Sequence, residues 1–311
     1  MRRWWAIVRA TMLELSAEPL SLLLTLGAVG TVAITSYLHF HQFGEPSRMA
    51  RDAGLSAMLV FGLLQAVFCT IKVFRREIES GTLQKALAHP LTRTQFFLAK
   101  SAGVAAWCLV TSLVIFSSVV VTVVGAEVGG VIASEESTGL AVVWGPALAA
   151  DTIIILVPLV SAALANLLWR TRFTLSASLL ASLLAVVAAP VLIFWGSSLC
   201  GAYYPEAAAL IRSSAWRLLA PGAAAFLPLP VFVLASAAAS VRLRDNLAAT
   251  VTMGVLLLAV PFLSNYYLSD ALAKGGSLPW CEVALAALAA APFAVAFAGL
   301  GIFLFNDQDV G

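Results

Sequence analysis

Residues 20–40 read LSLLLTLGAVGTVAITSYLHF, and no Asp, Glu, Lys or Arg interrupts them. At the helical rise of about 1.5 Å per residue, such a stretch crosses the roughly 30 Å of hydrocarbon in a bilayer. Predominantly apolar stretches of spanning length recur at 54–73, 101–125, 145–168, 173–198, 222–241, 247–268 and 282–305, giving about eight apolar runs bounded by charge, Gly or Pro. Of the 311 residues, 61% are hydrophobic and 11% charged, with a mean hydropathy of +0.97. An average soluble domain carries roughly 25% charge, so the chain reads as an all-α polytopic integral membrane protein with 6 to 8 transmembrane helices. The run GAAAFLPLPVFVLASAAASV at 222–241 is the least regular, because Pro228 and Pro230 sit within it and leave a broken or re-entrant segment open beside a full span.

Upstream of the first run, MRRWWAIVRATMLELSAEPL places arginines before apolar sequence, as a secretion signal does. Its length, Glu14 and Glu18 argue instead for a retained segment, with Arg2 and Arg3 as flanking charge. Trp4, Val8, Met12 and Leu15 share one helical stripe, with Arg2, Arg9 and Glu14 off it. This predicts an interfacial helix over 1–19 that turns into the bilayer at Pro19.

Net charge is only +2, which gives no footprint for nucleic acid. Placement is more telling. With the N-terminus inside, the cytoplasmic segments hold Arg2, Arg3, Arg9, Lys72, Arg75, Arg76, Lys85, Arg93, Lys100, Arg170, Arg172, Arg242 and Arg244. The external loops hold only Arg48, Arg51, Arg212, Arg217 and Lys274, so both termini are expected in the cytoplasm. Cys69 and Cys108 lie within runs as small hydrophobes; Cys200 and Cys281, near span ends, could at most form a bridge. His39 and His41 flank the first run without Met or Cys nearby and read as interfacial histidines rather than metal ligands.

The longest cytoplasmic excursion, FRREIESGTLQKALAHPLTRTQFFLAK at 74–100, gathers much of the chain's scarce charge. TLQKALAH (82–89) uses good helix formers with Leu83 and Leu87 on one face, and Pro90 ends it. Thr92, with Gln95 three residues on, predicts an N-cap that starts the helix of the third run. Glu77 and Glu79 are placed near the start of the short helix, at its positive dipole end.

Glu79, Gly81, Thr82, Leu83, Leu87, Pro90, Arg93, Leu98 and Lys100, in the order E-x-G-T-L-x-x-x-L-x-x-P-x-x-R-x-x-x-x-L-x-K, resemble the first cytoplasmic loop of ABC type-2 (ABC-2) transporter permeases. In that family the loop carries a coupling helix that docks in a cleft of a separate ATP-binding subunit. The resemblance implies a single transmembrane permease domain over 1–311, with 74–100 as coupling loop, working as a dimer with a second copy or paralogue. It implies export across the plasma membrane, ATPase contact through Glu77, Glu79, Gly81, Thr82, Leu83, Leu87, Pro90 and Arg93, and no cofactor in this chain, with ATP and Mg on the partner. No G-x-x-x-x-G-K-[ST] loop is present, in keeping with hydrolysis in another chain. Family members commonly show six spans, fewer than the runs counted here, and Gln84 and Thr92 stand where an acidic residue and Ser are frequent.

Asp151, in GPALAADTIIILVPLV, is an ionisable group at membrane depth, costing on the order of 3 kcal/mol on insertion scales. A substrate path, a proton-linked site and a structural polar contact all remain open for it. Asn166 and Asn265 are weaker candidates. An ion-coupled carrier or a membrane-embedded enzyme is the competing class; the first needs intramembrane charge pairs and the second a catalytic cluster such as H-E-x-x-H.

Overall fold

The computed structural model describes residues 2–35, 46–79, 92–135, 141–191, 205–243, 247–254 and 278–307. These are α-helical almost throughout, with no strand among the described residues. The helices are α1 (Arg2–Ser16), α2 (Pro19–Thr35), α3 (Pro46–Glu79), α4 (Arg93–Glu135), α5 (Ala141–Trp169), α6 (Phe173–Val191), α7 (Pro205–Phe226), α8 (Pro228–Arg242) and α9 (Trp280–Asn306), with a short helical stretch over 247–254. Among the described residues four helical segments are long and apolar enough to cross a membrane: Ala50–Glu79, Arg93–Ala126, Trp216–Arg242 and Trp280–Asn306. The bent pair of α1 and α2 makes a fifth if counted as one span.

The 43-residue α4 is the hub, packing against every other named helix. Its sequence explains why. Val119, Val120, Val121, Val123 and Val124 are all buried, so this part of the helix is enclosed around its whole girth rather than along one stripe. Ala28, Val29 and Val32 of α2, Ala57 and Met58 of α3, Ala185 of α6 and Leu218 of α7 join those valines in one cluster. Towards the other end of α4, Val104 and Trp107 meet Leu15 of α1, Leu63 and Val67 of α3, and Phe232 of α8. A third cluster stacks Phe74, Phe97 and Phe305, with ring centroids 5.3 and 5.9 Å apart. The end of the bundle carrying this aromatic cluster is also where its ionic side chains collect, and it is called the charged end below.

α1 and α2 meet at 67°. Pro19, first residue of α2, lacks the N–H that would continue α1, and its fixed φ suits a helix start. The carbonyls left open at the end of α1 are taken up by α6: Thr174 donates to Ala17 O at 2.7 Å and Ser178 to Ser16 O. The elbow is therefore built into the bundle. Val8 and Leu15 of the sequence-predicted stripe are buried, and Trp4 and Met12 are half-buried, while Arg9 and Trp5 are exposed. That face lies on α4 at Gly103, where a Cβ would stand 2.7 Å from Thr11 Cβ and 3.0 Å from Val8 O.

Several boundaries differ from those read in the sequence. The runs at 54–73 and 101–125 extend to 46–79 and 93–135, because Arg, Lys and Glu side chains near a helix end reach water or one another without ending the helix. Arg48 and Arg51 accordingly sit in the first turns of α3 instead of a loop, Arg51 paired with Asp52 at 3.1 Å. The break expected at Pro228 and Pro230 is slight. Leu227 keeps helical angles (φ −53°, ψ −40°), and Trp216–Arg242 is long and apolar enough to span as one unit, since proline at the start of a helix removes only an N–H that had no intrahelical partner. Among the described residues Asn166 bonds locally: its Nδ2 donates to Thr171 O at 2.6 Å, closing the 170–172 turn in which Arg170 takes a left-handed φ of 52°. Cys69 and Cys108 are buried, as small hydrophobes are, and Cys281 is exposed. His39, His41, Cys200 and Asn265 lie outside the described residues.

Candidate functional site

The last turns of α3 carry Lys72, Arg75, Arg76, Glu77 and Glu79. Carboxylates at a helix C-terminus oppose its dipole, so each needs a cation. Glu79, exposed, takes Arg75 one turn back at 3.0 Å. Glu77 turns inward to Lys100 of α4, its Oε1 accepting from Nζ at 2.6 Å. The Lys100 side chain is only 7% exposed. Its Nζ lies 3.5 Å from Glu14 Oε2 and 6.0 Å from the centroid of the Phe96 ring. Glu14 also takes Arg76 at 3.3 Å, and Glu18, at the elbow, takes Lys72. One ionic network thus ties α1, α3 and α4 together.

This corrects the sequence reading of Glu77 and Glu79. They form the last turn of a long helix rather than the start of a short one, and their partners supply what a helix N-terminus was expected to supply. Gly81, Thr82, Leu83, Leu87 and Pro90, with the short helix they were assigned to, lie outside the described residues. The segment's far end is described. Thr92 Oγ1 accepts from the Gln95 N–H at 3.2 Å, the cap read from the spacing. Arg93, first residue of α4, donates from Nη1 to Asn306 O at 3.1 Å, placing a cation on the C-terminal carbonyls of α9. Thr92→Ala should cost about 1 kcal/mol, measured as a small drop in apparent melting temperature of the purified chain.

Three residues from the Glu18 elbow carboxylate, a second junction enters the apolar interior. Ser21 Oγ of α2 accepts from Gln65 Nε2 of α3 at 2.8 Å and from Trp107 Nε1 of α4 at 2.7 Å. Polar side chains in this setting bond across helices because no water competes. Asp151 lies in α5, and its side chain falls outside the described residues.

Sequence reasoning passed over Glu14 and Glu18 as functional partners, using them only against a secretion signal. A signal was present: two like charges four residues apart, on either side of the turn before Pro19, repel, so the pair needs cations brought from elsewhere in the fold.

The family described as ABC-2 family transporter protein matches residues 4–187, more than half of the chain. The chain belongs to the ABC-2 transporter family. The match covers α1 to α5 and most of α6, and so includes the elbow, the Lys100 network and the 80–91 segment. No curated protein and no solved structure matches the chain. As an ABC-2 permease it is an integral membrane protein and a transport subunit of an ABC transporter, a kind of subunit that associates with an ABC ATPase and is generally not itself catalytic.

Proposed function

We propose that this ABC-2 permease exports its substrate across the cytoplasmic membrane as a dimer, driven by separately encoded ATPase subunits that dock on residues 77–90 and carry the ATP and Mg. The observation behind this reading is how the two helix ends on either side of residues 80–91 are anchored. On one side Glu77 is fixed to Lys100; on the other Arg93 is fixed to the end of α9. A push on that segment reaches α3 and α4 directly, α1 through Glu14, and α9 through Asn306. Packed elements with discrete contacts transmit such displacements rather than absorbing them.

Within this reading the two acidic residues divide the work. Glu79, 62% exposed, faces the partner, together with Gly81, Thr82, Leu83, Leu87 and Pro90; Glu77 passes the movement inward. The excess of Lys and Arg on the charged end supports a cytoplasmic location for that end, with α1 in the headgroup layer and both termini inside.

Affinity purification of the permease from its own membranes tests this. Glu79→Arg should reduce the co-purifying ATPase roughly tenfold while leaving the amount of inserted permease unchanged, as expected for reversing a charge at a docking contact. Leu87→Asp should do the same. Full ATPase recovery and normal transport in both variants would remove the docking assignment.

A further inference from the structure

At the charged end, α1, α3 and α6 enclose an open groove of about 740 Å³. Its lining carries both signs of charge: Glu14, Glu18 and Glu77 on one side of the balance, Arg76 and Arg172 on the other. Leu13 and Leu175 add apolar wall. We propose that this groove holds the headgroup of a zwitterionic aminophospholipid, its phosphate on Arg172 and Arg76 and its ammonium on the carboxylates. The proposal goes beyond the transport reading and rests only on the chain being an integral membrane protein.

Depth comes first. α1 lies 67° from α2, so if α2 enters the bilayer steeply, α1 runs nearly along its surface. Trp5 on α1 is 64% exposed, and Trp169, beside the 170–172 turn, is 75% exposed. Exposed tryptophans of a membrane protein settle at headgroup level. The groove's lining runs along α1 from Ala10 to Glu18 and includes Arg172 of that turn, so it shares its elements with both markers, at the level where lipid headgroups are concentrated.

Chemistry comes second. Glu14 and Glu77 hold Lys100, and Glu18 holds Lys72, but a carboxylate has about four lone-pair sites and accepts further N–H groups. A primary ammonium supplies three donors, whereas a quaternary choline supplies none. Arg172 is exposed on its turn, and Arg76, held at 3.3 Å by one Glu14 contact, keeps donors for phosphate. An anionic lipid such as a phosphatidylglycerol would bring no cation to the carboxylates. The lining therefore selects ethanolamine over choline and glycerol. Leu13 is 46% exposed along the same wall and offers a track for the acyl chain.

Native mass spectrometry of the full chain in mild detergent, with equimolar dioleoyl-phosphatidylethanolamine, -phosphatidylcholine and -phosphatidylglycerol, tests this. Phosphatidylethanolamine should be retained roughly tenfold over the other two, the effect of a few charge-assisted hydrogen bonds. Glu18→Gln, which removes a carboxylate that meets the ammonium, should abolish that preference. Arg172→Gln should lower the retention of phosphatidylethanolamine severalfold, and Arg170→Gln, a charge loss on the same turn but outside the groove, should leave it unchanged. Equal retention of all three lipids, preference for phosphatidylglycerol, a preference that survives Glu18→Gln, or an equal fall in both arginine variants would each overturn the assignment.

Discussion

Lys100→Met is expected to leave the permease inserted in the membrane but to lower its stability by on the order of 3 kcal/mol, roughly 5–10 °C in apparent melting temperature. The reason lies in what the ammonium leaves behind. Glu77 is only 20% exposed and loses its 2.6 Å ammonium contact, and Glu14 loses one of its two cations, so both carboxylates near the aromatic cluster are left short of positive charge where little water reaches. Removing one member of a buried ion pair costs more than the pair contributes, because the survivor has lost both water and partner. The companion variant Lys100→Met with Glu77→Leu removes both charges at similar volume and should recover more than half of the lost stability. ATP hydrolysis and transport by the reconstituted complex separate two roles. If the bond transmits movement, the double variant regains stability while its transport stays low. Recovery of both would reduce Lys100 to a packing element.

The second large effect is at the contact of α1 with the hub. Gly103→Val places a branched side chain where even a Cβ would stand 2.7 Å from Thr11 Cβ and 3.0 Å from the Val8 carbonyl. Backbone cannot yield as a long side chain can, so α1 must lift, at a cost of roughly 3 kcal/mol. Val8 reports it, being 4% exposed. With the native cysteines replaced, the thiol of a Val8→Cys variant should react with a water-soluble maleimide at least tenfold faster when Gly103→Val is added, in proportion to the opened population. Labelling that stays slow would mean α1 does not owe its seat to this glycine.

What the sequence could show follows from the range of the interactions involved. The Thr92 cap was legible because donor and acceptor are three residues apart, and the apolar runs because hydrophobic length is a local property. The helix ends were not. α3 continues through Arg75 to Glu79 because charges pair with one another, and a hydropathy reading stops at the first of them. The ionic network was least legible. Glu14 and Lys100 are 86 residues apart, and only the folded path of α1 across α4 brings them together. Glu77 was given a plausible local role, as a dipole partner at a helix start, when its real partner comes from the next long helix. The resemblance carried by residues 79–100 identified the family that the match over residues 4–187 then showed, yet it could not indicate which of two neighbouring glutamates turns inward.

α4 runs unbroken for 43 residues, about 65 Å at the helical rise and roughly twice the hydrocarbon thickness. Lys100 and Gly103 grip it within three turns of one tip. Enclosed by its neighbours at Val119–Val124, it carries them with it when it tilts: about 5° there sweeps the opposite tip through about 5 Å, the pitch of one helical turn. Small angular play at the charged end is thus a large stroke on the other side of the membrane.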